Sequence, residues 1–365
     1  MTDTIPSTQK AIVVEDVGKH AVIAERPVPT PQQGEILVQI TVAALNPYDK
    51  HVRDMGLYVS HRLPVVLCND MAGIVRAIGP DTTTDLKVGD HVFGQTNYLK
   101  DTSDQCGLQQ YALLDTAIGC AKVPEGFSDN EAATMITNVV SPFLAIFGGH
   151  GMDLKFPFPG TEDAGRDYSK ETIVIIGGGS NNGKYAVQLC KLAGFGKIVV
   201  TANKTKNEQI LNDYGATHVI DRNGSDVEVE EAIRAIVGDD LLYSLDCVNL
   251  DHNLAVSILS TTKKGIMVGL IPGFQNDFKF KEKAAGFEEK FIQGQSHNQP
   301  ELGKKIWEFI PKWIVEGKIR STGWTAVEGM DVEKVNKVLD DYGIGVVPPK
   351  QVHVWVHGSK LAERS

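Results

Sequence analysis

The 365-residue sequence has few cysteines, no long apolar run and no excess of positive charge. Its five cysteines are scattered without CxxC spacing, which favours reduced thiols over a disulfide framework or a zinc cluster. No apolar stretch reaches the roughly 18 residues of a membrane helix, and the start shows no secretion signal. Lys and Arg number 36 against 46 Asp and Glu, so the net charge does not attract phosphate backbones or anionic lipid. We therefore expect a cytoplasmic protein that binds neither nucleic acid nor membranes.

Length and pattern together predict two domains of different texture. A single domain usually holds about 100–200 residues, fewer than this chain has. The first part consists of short β segments divided by turns, such as KAIVVE, EILVQITVAAL and MAGIVRAIG. From Thr172 onward apolar strands alternate with helical segments, which predicts βαβ units and a parallel sheet with helices on both faces. Residues 151–171, rich in Pro, Gly and Asp, are expected to form a surface loop.

The most specific chemical motif is the segment TIVIIGGGSNNGKYAVQLCKLAGF, in which a buried strand runs through a glycine-rich turn into a helix. Glycines let backbone N–H groups approach a pyrophosphate at the positive end of the helix dipole. Ser180 stands where the GxGxxG pattern has its second glycine, so the pattern is matched only in part. The alternative is a β-to-α turn without a ligand. We expect dinucleotide contacts from Gly177, Gly179, Ser180, Asn181, Asn182 and Gly183.

The end of the second strand, KIVVTA, favours NADPH over NADH. A carboxylate usually holds the adenosine ribose of NAD at this place, whereas here Asn203, Lys204 and Lys206 follow the strand. Two lysines would attract the extra phosphate of NADPH. Arg222, after the next strand, is a further candidate for the same role. The alternative for these cations is a solvated surface position.

Several segments resemble the zinc-independent medium-chain dehydrogenases/reductases, the quinone-oxidoreductase-like proteins, and among them fungal trans-acting enoyl reductases and related aldehyde reductases. The segments that carry the resemblance are LNPYDK (45–50), NDMAG (69–73), VGDHVFG (88–94), QYA (110–112), the glycine turn and LDCVN (245–249). The resemblance implies an α/β protein with a GroES-like β domain formed by residues 1–140 and 310–365. A Rossmann domain with a doubly wound parallel sheet would occupy residues 141–309.

Zinc members of that superfamily bind their catalytic metal with Cys, His and Glu side chains. The matching positions here hold Asn46 and the pair Asn69-Asp70, and amide side chains are poor zinc ligands. We therefore expect no metal. The resemblance instead suggests Tyr48 as the proton donor and His51 as its proton reservoir, although a packed tyrosine and a solvated histidine are the alternatives.

The resemblance places further residues near cofactor or substrate. Asn46 is assigned to the cofactor and Asp70 to the substrate, the alternative being a hydrogen bond between the two. Thr137 and Asn138 are assigned to the substrate, with helix packing as the alternative. The remaining cofactor candidates are Asn249, Gly269 and Lys350.

The function implied is hydride transfer from NADPH to the alkene of an α,β-unsaturated carbonyl or enoyl thioester. One alternative is the reduction of an aldehyde, ketone or quinone, and another is a protein that binds NADPH without catalysis. The expected partners are a small or carrier-bound substrate and, by the resemblance, a polyketide synthase. The chain is expected to be a monomer or a homodimer.

Overall fold

A computed structural model describes residues 4–273 and 282–358. The chain divides into two compact units, Met1–Thr137 with Gln295–Ser365, and Asn138–Gly294. The sequence-based boundary after residue 140 lies near the first division. The boundary predicted after residue 309 differs from the structural one, which falls between Gly294 and Gln295.

The first unit is built mainly from antiparallel strands. Its N-terminal elements are β1 (Thr8–Val14), β2 (Val22–Pro27), β3 (Glu35–Leu45), α1 (Pro47–Met55), β4 (Val65–Val66), β5 (Asp70–Ile78), β6 (His91–Gln95), β7 (Tyr111–Asp115), β8 (Cys120–Lys122) and α2 (Asp129–Ala133). Three strands form a sheet in the order β2-β1-β4, and β3 lies at the centre of a larger sheet, paired with both β5 and β7.

The second unit carries the parallel sheet. Its elements are α3 (Thr137–Phe147, which starts at the boundary), β9 (Thr172–Ile176), α4 (Asn181–Ala193), β10 (Lys197–Ala202), α5 (Lys204–Tyr214), β11 (His218–Asp221), α6 (Asp226–Val237), β12 (Tyr243–Asp246), α7 (Asn253–Ser257), β13 (Gly265–Gly269) and β14 (Phe287–Phe291). The strand order β11-β10-β9-β12-β13-β14 is that of a dinucleotide-binding doubly wound sheet. The α/β class predicted from sequence is confirmed.

The chain then returns to the first unit. The elements are a 3-10 turn (Ser296–Asn298), α8 (Pro300–Val315), β15 (Trp324–Glu328), α9 (Val332–Gly343) and β16 (Gln351–Trp355). Strand β16 pairs antiparallel with β3, as in Val352 opposite Leu45. Helix α8 belongs to this unit because the Trp307 ring packs 5.7 Å from Phe93 and its Nε1 donates to Ser296. These contacts explain why the boundary lies before α8 rather than within it.

The loop 151–171 is held down by aromatic side chains. Phe156 and Phe158 are buried, and the Phe156 ring packs edge-on against Phe143 at 5.1 Å between ring centroids. Phe158 packs similarly on Phe147 at 5.7 Å. The stretch is thus a loop, as expected, but part of it enters the core. Among residues 4–273 and 282–358, no helix is long and apolar enough to cross a bilayer.

Candidate active site

The glycine turn between β9 and α4 has the close backbone packing that the sequence predicts. Gly177 has φ +81°, a conformation that disfavours side chains, and the Gly178 amide donates to the Thr201 carbonyl at 2.8 Å. Ser180 caps α4: its hydroxyl accepts from the Gly183 amide at 3.0 Å and donates to the Gly177 carbonyl at 2.8 Å. A Cβ on Gly183 would lie 2.4 Å from that carbonyl oxygen. The helix can therefore approach the turn only because Gly183 lacks a side chain.

The start of α4 fits a pyrophosphate. The first amides of a helix have no acceptor within the helix, and in α4 they belong to Asn181 and Asn182. The Asn182 Oδ1 atom is buried without a hydrogen-bond partner, and because it only accepts, the backbone amides are the donors that this turn offers to an anion. Gly179 lies at the same turn, where a Cβ would meet Asn207 at 3.3 Å. Bare amides and the positive end of the helix dipole make this turn an anion site.

The end of β10 carries carboxylates as well as the lysines that its sequence shows. Asn203 caps α5 by accepting from the Lys206 amide at 3.1 Å. Lys204 forms an ion pair with Glu208 at 3.4 Å, and its backbone amide faces the Asp221 carboxylate, which comes from the neighbouring strand β11. Glu208 and Asp221 lie close in sequence to Lys206 and the exposed Arg222, but sequence order does not show that Asp221 also reaches Lys204.

The loops after β12 and β13 lie at the same carboxyl edge of the sheet. Asp246 is buried and accepts from the amides of Val248 and Asn249 and from the Asn249 side chain, at 2.9–3.0 Å. Burial raises the pKa of Asp246, and these donors counteract that rise. At Gly269 a Cβ would lie 2.4 Å from the His252 ring, so the glycine is needed for packing on that face. Asn249 shapes its loop through Asp246.

The first unit brings predicted site residues into one hydrogen-bonded cluster. Asn46 donates to Asp70 at 2.8 Å, and Thr137 donates to the same carboxyl through its hydroxyl at 2.5 Å and its amide at 3.1 Å. Gln351 of β16 donates to the Asn46 side-chain oxygen at 3.1 Å. Gln95 of β6 donates to the Thr137 hydroxyl at 2.7 Å. Sequence reasoning missed Gln351 and Gln95, which no local motif marks.

Two buried carboxyls lie in this part of the structure. Burial raises the pKa of Asp70 to about 7, against the lowering effect of the groups that donate to it. Burial likewise raises the pKa of Asp49 to about 6, although it accepts from the amides of Asn46 and Cys68 at 2.8 Å each. Asp49 also closes the capping box of α1 with Asn46. In the described ranges, no three His, Cys, Asp or Glu side chains are grouped to hold a metal ion.

Tyr48 and His51 lie one turn apart in α1. The Tyr48 hydroxyl is buried beside the Tyr98 side chain, and burial raises its pKa, so it stays protonated at neutral pH. Burial and the adjacent Lys50 lower the pKa of His51, which favours the neutral ring. Residues three apart in a helix lie on the same face.

Two other candidates lie outside the cluster. Asn138, the second residue of α3, is buried and belongs to the second unit, whereas Thr137 before it belongs to the first. Lys350 is exposed, with its side chain beside Gly323. It is the next residue, Gln351, that reaches the Asn46 cluster.

Comparison with protein families gives two matches. The alcohol dehydrogenase GroES-like domain family matches residues 32–140, and the zinc-binding dehydrogenase family matches residues 183–311. Together with the sheet order, these matches confirm the predicted combination of a GroES-like and a Rossmann domain.

Two curated fungal proteins are similar over much of the chain. The trans-enoyl reductase grgB of Penicillium sp is 26% identical over 377 residues, covering 97% of this chain and 100% of grgB. The trans-enoyl reductase milB of Cordyceps militaris is 32% identical over 255 residues, covering 69% of this chain and 67% of milB.

Solved structures share the fold over nearly the whole chain. The CurK enoyl reductase superposes with a TM-score of 0.72 at 18% identity, covering 96% of this chain and 100% of that one. The mycobacterial protein Rv1454c in complex with NADPH has a TM-score of 0.70 at 16% identity, covering 95% of this chain and 99% of that one. At these identities the likeness establishes the fold.

Proposed function

The chain belongs to the medium-chain dehydrogenases/reductases, in the branch of the fungal trans-enoyl reductases, and from that premise we propose that it reduces the alkene of an α,β-unsaturated carbonyl compound with NADPH and without a metal ion. The observation that carries the proposal is the cluster of Asn46, Asp70 and Thr137. Asn46 and Asp70, at positions matched to zinc ligands, bond each other, and Thr137 donates to the same carboxyl. The amide of Asn46 and the hydroxyl of Thr137 are poor zinc ligands, and the Asp70 carboxyl already accepts hydrogen bonds from both.

The residues of the second unit fit a dinucleotide. Ser180, Asn181 and Asn182 would hold the pyrophosphate at the start of α4, where amide groups lack acceptors in the helix. Lys206, with Lys204, would hold the 2′-phosphate, which supports NADPH over NADH. The NADPH complex of a protein with the same fold supports this preference. When bound, NADPH supplies a hydride to the β-carbon of the substrate.

In this proposal, the first unit supplies the groups that stabilise and protonate the substrate as negative charge develops on its carbonyl oxygen. Because the Tyr48 hydroxyl stays protonated at neutral pH, it can donate a hydrogen bond to a carbonyl oxygen on which negative charge develops. Neutral His51 can relay a proton to this hydroxyl, because one ring nitrogen accepts a proton from water while the other releases the proton it holds. The Asp70 cluster keeps the end of β5 and the start of α3 in place. Substrates carried on an acyl carrier, including one of a polyketide synthase, remain within the proposal.

The test follows NADPH absorbance with 2-enals, enones, quinones and enoyl thioesters, in buffer with and without a zinc chelator. We expect turnover of at least one conjugated carbonyl class, unchanged by the chelator, and a saturated carbonyl product. An allylic alcohol product would assign carbonyl reduction instead. Tyr48→Phe should lower kcat by on the order of 10²-fold if the hydroxyl acts as a general acid. Tight NADPH binding with no turnover of any class would contradict the proposal.

A further inference from the structure

Two tyrosines adjoin the candidate proton donor, Tyr48. Tyr48 is the second residue of α1, Tyr58 lies in the turn that follows α1, and Tyr98 lies in the loop after β6. The rings of Tyr48 and Tyr58 are nearly parallel, at 20° and 6.5 Å between centroids. Tyr98 tilts against Tyr48 at 51° and 5.4 Å. Segments distant in sequence thus form one aromatic surface, here called the tyrosine cluster.

One member of the tyrosine cluster, Tyr58, is both strained and exposed. Tyr58 has φ +62°, the left-handed region, where a bulky residue is strained, and it is 44% exposed. The Tyr48 ring is partly exposed although its hydroxyl is buried. Strain and exposed aromatic surface in the same place indicate a binding surface rather than a packing element.

The tyrosine cluster also lies close to the reactive groups. Tyr48 follows Asn46 by two residues, and Asn46 donates directly to Asp70. Any substrate whose carbonyl oxygen meets the Tyr48 hydroxyl therefore has its neighbouring atoms beside the rings of Tyr58 and Tyr98. The buried carboxyl of Asp49, next along the helix, disfavours an anionic group at this place.

Aromatic rings bind other aromatic groups through their faces and edges. Aromatic groups pair by offset stacking or edge-to-face contact, and such pairs gain affinity beyond the area they bury. A saturated alkyl chain gains only from burial. The cluster should therefore distinguish a flat conjugated group from an alkyl chain of similar size.

We propose that the tyrosine cluster is the subsite for the portion of the substrate beyond the reacting double bond, and that it selects neutral substrates in which this double bond is conjugated to an aromatic or polyene group. The inference rests on the proposed function, because it concerns the substrate of that same site. It makes Tyr58 and Tyr98 specificity-determining residues.

The experiment compares cinnamaldehyde with trans-2-hexenal as substrates of the full-length protein with NADPH. We expect kcat/KM to favour cinnamaldehyde by about 3- to 10-fold in the natural protein. Tyr58→Asn, which removes the ring while suiting the left-handed conformation, should bring this ratio near one, and Tyr98→Leu should also lower it. Tyr58→Phe should retain the ratio because the ring remains. Tyr243→Leu, at the start of β12, is the control outside the cluster and should leave both rates within about twofold.

A second readout does not depend on turnover. Calorimetry should give cinnamamide a lower Kd than trans-2-hexenamide, and Tyr58→Asn should remove that difference. If both aldehydes are reduced but the ratio is near one in the natural protein, or is the same in Tyr58→Asn, the inference is overturned and the proposed function stands. If neither aldehyde nor any other conjugated carbonyl is reduced while cinnamamide still binds through Tyr58, the proposed function fails and the aromatic subsite stands.

Discussion

The buried Asp70 carboxyl should make the natural protein less stable as the pH rises, and Asp70→Asn should abolish this pH dependence. The carboxyl is fully buried, and its partners Asn46 and Thr137 are neutral donors. Burial therefore raises the pKa of Asp70 from 3.8 to about 7 in the folded protein. A group with a raised folded pKa stabilises the fold most at low pH, and that stability is lost as the pH rises through about 7.

The magnitude follows from the two pKa values. With 3.8 for the unfolded chain and about 7 for the folded one, the contribution of this carboxyl falls by about 2.6 kcal/mol between pH 5 and pH 8. Asparagine does not titrate, so this change disappears in Asp70→Asn. The new amide faces the Thr137 hydroxyl as a donor, which adds a cost that does not depend on pH.

The assay is urea unfolding of the natural protein and Asp70→Asn at pH 5 and pH 8. The difference in unfolding free energy between the two proteins should shift by about 2–3 kcal/mol in favour of the variant at pH 8. Asp240→Asn, at a side chain that is 78% exposed, is the control. Its difference in unfolding free energy from the natural protein should change by less than about 0.5 kcal/mol between pH 5 and pH 8. An equal pH dependence for the natural protein and Asp70→Asn would refute the reasoning that Asp70 is a buried carboxyl without a counter-charge.

Three further predictions concern other parts of the structure. Burial lowers the pKa of His353 to about 3, so the stability that neutral His353 contributes is lost as the pH falls below about 6.5. In urea titrations between pH 7 and pH 4.5, His353→Asn, which keeps a donor toward Asn130, should lose about 2.5 kcal/mol less unfolding free energy than the natural protein. Lys206→Glu should raise KM for NADPH about tenfold while changing KM for NADH about twofold at most, and equal effects on both would remove Lys206 from the 2′-phosphate site. Gly183→Ala places a Cβ 2.4 Å from a backbone carbonyl oxygen of the turn. It should lower the free energy of unfolding in urea by about 1–3 kcal/mol and weaken NADPH binding in calorimetry. Unchanged stability and affinity would show that the close contact between α4 and the turn is not needed.

Local pattern was enough to predict the parallel sheet and its glycine turn. The alternation of strands and helices after Thr172 depends on neighbours in sequence, and so does the capping of α4 by Ser180. The pairing of Asn46 with Asp70 was foreseen as one of two alternatives, because both follow from the segments that carry the family resemblance.

Tertiary structure alone decided which side chains complete the site. Gln351 reaches Asn46 across 305 residues because β16 pairs with β3 in one register, and a one-residue slip would turn Gln351 away. Asp221 similarly approaches Lys204 from a neighbouring strand, at a place where the sequence of β10 shows no carboxylate. Secondary structure is set by periodicity within a segment, whereas these contacts depend on how distant segments pair, and no local motif encodes that pairing.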